Sequence, residues 1–125
     1  MMLRQLLAAG LLFLCLDAPW IAFMALPVYK AAFGSWMTLR LLPAICFYVM
    51  YVLGLWLFVL MPYGHLRWYW VFAYGAAYGL VTYGTYALTC ASVFVPFTPS
   101  MAIIEMLWGM TVTAVISIVV VNIVA

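Results

Sequence analysis

Long apolar runs broken by prolines and charges organise this chain. Hydrophobic stretches extend from about Gln5 to Leu26, Leu41 to Met61, Trp68 to Val95 and Met101 to Val124. The breaks are a connector from Pro27 to Arg40, a link from Pro62 to Arg67, and the turn Pro96-Phe97-Thr98-Pro99-Ser100. Each run exceeds the roughly 20 residues that cross a ~30 Å hydrocarbon core at ~1.5 Å per residue. Each also lacks the two-residue alternation of a barrel strand and outruns its usual length. The pattern predicts an all-α integral membrane bundle of four transmembrane helices, a single domain over residues 1–125. Both termini are expected on one side of the membrane. Thr98 and Pro99 suit the N-cap and first position of the last helix. Trp36 and Trp68-Tyr69-Trp70 fall where interfacial aromatic belts sit.

Composition supports the membrane class. The chain is 73% hydrophobic and 5% charged, with four basic and two acidic residues. So few charges cannot cover a water-facing domain of this size. A net charge of +2 with no basic run argues against a nucleic-acid partner. Arg4 followed by Leu6 to Leu16 imitates a signal peptide. The run continues past Asp17 without a clear small-residue cleavage site, so it reads as an uncleaved first span. Arg4, His65 and Arg67 fall on one expected side, Lys30 and Arg40 on the other. With two Lys/Arg on each side, the positive-inside rule assigns no orientation. A bacterial and a mitochondrial inner membrane are equally compatible.

Asp17 and Glu105 are the only acids, and both lie inside apolar runs. An ionised acid at mid-membrane costs roughly 2.5–3.5 kcal/mol on insertion scales, a cost that protonation or hydrogen bonding reduces. Helical spacing gathers polar and small residues onto faces expected to turn inward, because lipid offers hydroxyls no partners. Gly10, Phe13, Asp17, Trp20 and Met24 align on the first span. Gly75, Tyr78, Gly79, Thr82, Thr85, Tyr86 and Thr89 align on the third, and Glu105, Gly109, Thr113 and Ser117 on the fourth. Gly75, Gly79 and Gly109 are candidates for close helix packing.

Depth adds a second constraint. Asp17 lies about 13 Å below the end of the first run and Glu105 about 6 Å below the start of the fourth, both at the same expected side. Asp17, Trp20, Tyr86, Thr89, Glu105 and Trp108 are thus expected to line one polar pocket, with Lys30 and Arg40 at its rim. Three roles stay open for it: a structural polar anchor, a ligand or lipid-headgroup site, or proton chemistry.

No enzyme is legible beside it. The sole histidine, His65, falls in a link and reads as a surface residue. No metalloprotease motif, serine–histidine pair or glycine-rich phosphate loop is present. Cys15, Cys46 and Cys90 are far apart within spans and read as small buried hydrophobes rather than a disulfide or metal set. No cofactor or metal is expected.

Several motifs resemble a bacterial family of small four-span predicted membrane proteins of unknown function. They are Leu16-Asp17-Ala18-Pro19-Trp20, Tyr29, Phe47-Tyr48 with Tyr51-Val52-Leu53-Gly54, Tyr83-Gly84-Thr85-Tyr86-Ala87-Leu88-Thr89 and Glu105-Met106-Leu107-Trp108-Gly109. The resemblance covers nearly the whole chain. It implies aspartate where Ala87 stands, asparagine at Cys90, and aspartate more usually than Glu105. An activity dependent on those groups would be lost here while the fold survives. The expectation is a non-enzymatic accessory subunit within a larger membrane assembly, contacting lipid and either a membrane-protein partner or further copies of itself. The alternative is a lipid- or small-solute-handling protein built on Asp17 and Glu105, with proton coupling.

Overall fold

The protein, as a computed structural model, is described over residues 2–36 and 40–123. Four long helices account for most of those residues: α1 (Met2–Phe33), α2 (Leu41–Tyr63), α3 (Trp68–Val93) and α4 (Pro99–Ile123). Helices α1, α2 and α4 have the length and hydropathy of membrane spans. Helix α3, with 26 residues, is long enough but is less apolar, because glycine, threonine, tyrosine and tryptophan occupy many of its positions. Val124, the expected end of the fourth run, lies outside the described residues.

Pro27 does not end the first helix, contrary to the expectation from sequence. It follows a π-helical turn, Ile21–Ala25, in which the Leu26 N–H reaches the Ile21 carbonyl five residues back. A proline ring has no N–H and crowds the carbonyl four residues behind it; a widened turn relieves both problems. Helix α2 repeats the arrangement. The turn Trp56–Leu60 is π-helical, Met61 bonds back to Trp56, and Pro62 follows. What stops α1 is Gly34, whose φ of +59° excludes most side chains and whose N–H closes on the Lys30 carbonyl. The connector expected from Pro27 onward is therefore helical up to Phe33 and turns at Gly34–Trp36.

At the start of α4, Thr98 is the N-cap. Its Oγ1 accepts from the Met101 N–H at 3.2 Å, with Pro99 in the first helical position.

Helix α4 is the hub, packed extensively against α3 and also against α1. Its buried residues include Glu105, Gly109, Val112, Thr113, Ile116 and Ser117. Two pairs of neighbouring helices, α1 with α2 and α1 with α4, run antiparallel. Gln5 meets Trp56 while Asp17 meets Tyr48 between α1 and α2, and Asp17 meets Trp108 while Trp20 meets Glu105 between α1 and α4. The main core gathers Phe13, Tyr51, Leu55, Tyr83, Val112 and Ile116. A smaller one, Ala87, Phe97, Met101 and Ala102, closes the end where α3 turns into α4.

The inward faces depart from expectation in two places. On α1, Met24 is exposed and Ala25 is buried, because the π-turn inserts one residue and rotates the face. On α3 the buried stripe is Val71, Gly75, Gly79, Tyr83 and Ala87, whereas Thr85 and Thr89 are exposed. The Thr85 hydroxyl donates to the Val81 carbonyl of its own helix at 2.6 Å. Threonine therefore needs no interior partner, and the premise that its hydroxyl must turn inward fails.

Candidate functional site: a crossed acid–tryptophan cluster

Asp17 and Trp20 are three residues apart on α1; Glu105 and Trp108 are three apart on α4. That spacing puts acid and indole on one side of each helix. Because the helices run antiparallel, each acid lies opposite the other helix's tryptophan. Trp108 Nε1 donates to Asp17 Oδ1 at 3.0 Å, and Trp20 Nε1 donates to Glu105 Oε1 at 3.3 Å. The two indoles stack face to face, with centroids 4.6 Å apart and planes 3° from parallel. The result is a reciprocal clasp: two hydrogen bonds crossing in opposite directions around one aromatic stack.

Asp17 draws in the other two helices. Its Oδ2 accepts from the Tyr48 hydroxyl of α2 at 2.9 Å, and its Oδ1 also accepts from the Tyr83 hydroxyl of α3 at 3.3 Å. One carboxyl, 5% exposed, thus receives donors from every other helix. All three donors are neutral, so Asp17 is held by directed hydrogen bonds rather than an ion pair. Below it, Tyr51 and Thr113 hydroxyls share a 2.5 Å hydrogen bond, and the Tyr78 hydroxyl donates to the Tyr51 carbonyl at 2.8 Å. Among the described residues, every buried side-chain nitrogen and oxygen has a partner, as a bilayer interior demands.

Glu105, 7% exposed, sits nearer the bundle end. The Tyr29 hydroxyl faces its carboxyl, and the Tyr86 hydroxyl donates to that of Tyr29 at 3.2 Å. Tyr29 and Tyr86 both pack on Phe97, which fixes α1 and α3 at this end.

Of the residues expected to form one pocket, Asp17, Trp20, Glu105 and Trp108 come together, and Tyr86 reaches them through Tyr29. Thr89 does not: it is exposed on α3, away from the Gly75–Gly79–Tyr83 stripe. Lys30 is exposed one residue beyond Tyr29, and Arg40 is exposed in extended backbone ahead of α2. Ala87 is fully buried in the smaller core, and Cys90 packs against it.

Gly75, Gly79 and Gly109 lie buried at the α3–α4 contact. A Cβ on Gly79 would strike the Gly109 carbonyl oxygen, and one on Gly109 would enter the Tyr83 ring.

Sequence reasoning missed Tyr48, Tyr83 and Tyr29 as cluster members, although all three stand in the motifs quoted above. Depth was the usable signal for Tyr48. It lies seven residues into α2, about 10 Å from the end that α2 shares with Asp17.

Over residues 2–122 the chain matches a family described as "Predicted membrane protein (DUF2177)". No curated protein and no solved structure matches it.

Proposed function

This chain belongs to that family of predicted membrane proteins, and on that premise we propose a four-span bundle that serves as a non-enzymatic accessory subunit of a larger membrane assembly. Helix α3 is the fourth span in this reading. Its 26 residues reach about 39 Å, enough to cross the hydrocarbon core. Four of its polar side chains are also met within the protein: Thr82 and Thr85 bond to carbonyls of their own helix, and Tyr78 and Tyr83 to neighbouring helices. Four antiparallel spans then leave both termini on one side.

The observation that carries the accessory reading is the commitment of both acids to the fold. Asp17 accepts from three helices, Glu105 accepts from Trp20, and the stacked indoles lie between them. Carboxyls occupied in this way hold helices together; a substrate would have to displace tryptophan or tyrosine to reach them. The outer faces of α1 and α2 present exposed Leu, Phe, Ile and Met side chains to lipid and to neighbouring subunits.

Cross-linking in the native membrane followed by mild-detergent purification tests this reading. A reproducible, stoichiometric membrane-protein partner or a defined homo-oligomer is expected. A monomer in every preparation would contradict it. Asp17→Asn and Glu105→Gln should weaken the bundle without removing any retained lipid or solute. Loss of such a ligand, or of proton flux, in both variants would favour the ligand-handling alternative.

A further inference from the structure

Two grooves on the surface of the bundle differ in depth and in charge. One, of about 390 Å³, runs between α2 and α3, with Phe58, Val59, Tyr74 and Val81 in its lining. Tyr74 and Val81 lie about 9 and 20 Å along α3 from Trp68, within the hydrocarbon, and no charged residue lines the groove. The other, of about 380 Å³, is a notch where α3 turns into α4. Ala32 and Phe33 line it from the last turn of α1, Val93 from the end of α3, and Phe94, Val95 and Pro96 from the turn. Phe33 meets Phe94 edge to face, with ring centroids 6.0 Å apart, so α1 and the turn build the notch together.

Depth and charge set the notch apart. Val93 is 23 residues beyond Trp70, about 34 Å along α3. With the Trp68–Trp70 belt at one boundary of the hydrocarbon, the notch falls at the other, where acyl chains meet headgroups. Val95 is 96% exposed there, an apolar side chain that favours acyl chain over water. Lys30 stands three residues before Phe33 on the same face of α1, and its flexible stem carries the ammonium up to headgroup level. Arg40, exposed ahead of α2, is a second cation at this end. Neither of the chain's two acids is available to pair with them, since both are buried and held by neutral donors.

We propose that the notch binds an anionic phospholipid. The upper methylenes of one acyl chain lie against Phe33, Val93 and Val95, and the phosphate pairs with Lys30 while Arg40 adds to the attraction. A zwitterionic headgroup brings an ammonium of its own beside these cations and is held less tightly. The uncharged groove between α2 and α3 makes no such choice. The site is separate from the acid cluster, and the proposal does not depend on whether the bundle is an accessory subunit.

The test is native mass spectrometry of the full chain in mild detergent, titrated with phosphatidylglycerol and phosphatidylcholine of identical acyl chains. One phosphatidylglycerol should be retained, at least about fivefold more tightly than phosphatidylcholine. Lys30→Gln should weaken phosphatidylglycerol about fivefold, the effect of one cation at the membrane surface, and Lys30→Arg should preserve it. Val93→Trp fills the notch without altering charge and should weaken both lipids; because Val93 is 65% exposed, this variant keeps the fold. Arg67→Gln, at the opposite end, should leave the preference unchanged. Equal affinity for the two lipids would overturn the proposal. So would wild-type retention by Lys30→Gln or Val93→Trp, or an equal loss in Arg67→Gln. Displacement of phosphatidylglycerol by inorganic phosphate would also overturn it, because the ligand would then be a soluble anion.

Discussion

Helix α4 is held on two sides by opposite means. Against α1 it uses bulk and hydrogen bonds: stacked Trp20 and Trp108, and two crossed indole–carboxyl bonds. Against α3 it uses the absence of side chains, so that Gly79 lies on the Gly109 backbone and Gly75 lies close to Ala114 and Ser117. In lipid, apolar burial gives helices little reason to associate, and packing or hydrogen bonding must supply it. The contrast teaches that this bundle uses both, on separate faces of one helix. The close contact tolerates no added atom, whereas the polar contact tolerates the loss of one bond but not of its acceptor.

The largest effect is therefore expected at the glycine contact. Gly79→Leu would press a side chain into the Gly109 carbonyl, which backbone cannot yield, and should cost about 3 kcal/mol or prevent a folded bundle. Denaturation from mixed micelles, followed by circular dichroism, measures it; wild-type stability would show that the helices are further apart than described. Asp17→Ala comes next. It leaves Tyr48, Tyr83 and Trp108 without an acceptor, at a cost of about 2 kcal/mol, since membrane hydrogen bonds average about 0.6 kcal/mol each. Asp17→Asn keeps an acceptor oxygen and should lose less than about 1 kcal/mol in the same assay. If Asn proved as damaging as Ala, charge rather than hydrogen bonding would be what matters at this position.

A double-mutant cycle sharpens the polar side. Trp20→Phe and Trp108→Phe each remove one indole donor, and their coupling should be about 0.5–1.5 kcal/mol because the rings stack. Independent effects would deny the stack. The smallest effect belongs to Thr85→Val, expected within about 0.5 kcal/mol of wild type because that hydroxyl serves only its own helix. A substantial loss there would restore an inward role for the outer threonines.

Helix number and antiparallel order were legible from the lengths of the apolar runs, and the capping role of Thr98 from local chemistry. The pairing of the two acids in one half of the bundle followed from counting residues down from the ends. Three features were not legible. The π-turns before Pro27 and Pro62 keep the chain helical where proline alone signals a stop, and no hydrophobic period marks an i→i−5 bond. The true inward face of α3 was hidden because Thr82 and Thr85 satisfy themselves on carbonyls of their own helix, which makes polarity a poor guide to orientation there. Finally, the two acid–Xaa–Xaa–tryptophan motifs were visible separately, but their crossing depends on antiparallel register. Only when residue 17 lies opposite 108 and residue 20 opposite 105 does each motif complete the other.

That crossing is the central claim, and the indole N–H resonances test it most directly. In a nitrogen-labelled sample with the six tryptophans assigned, Asp17→Asn should shift the Trp108 indole most, and Glu105→Gln the Trp20 indole most. If each acid instead moved chiefly the tryptophan three residues along its own helix, the clasp between α1 and α4 would be wrong.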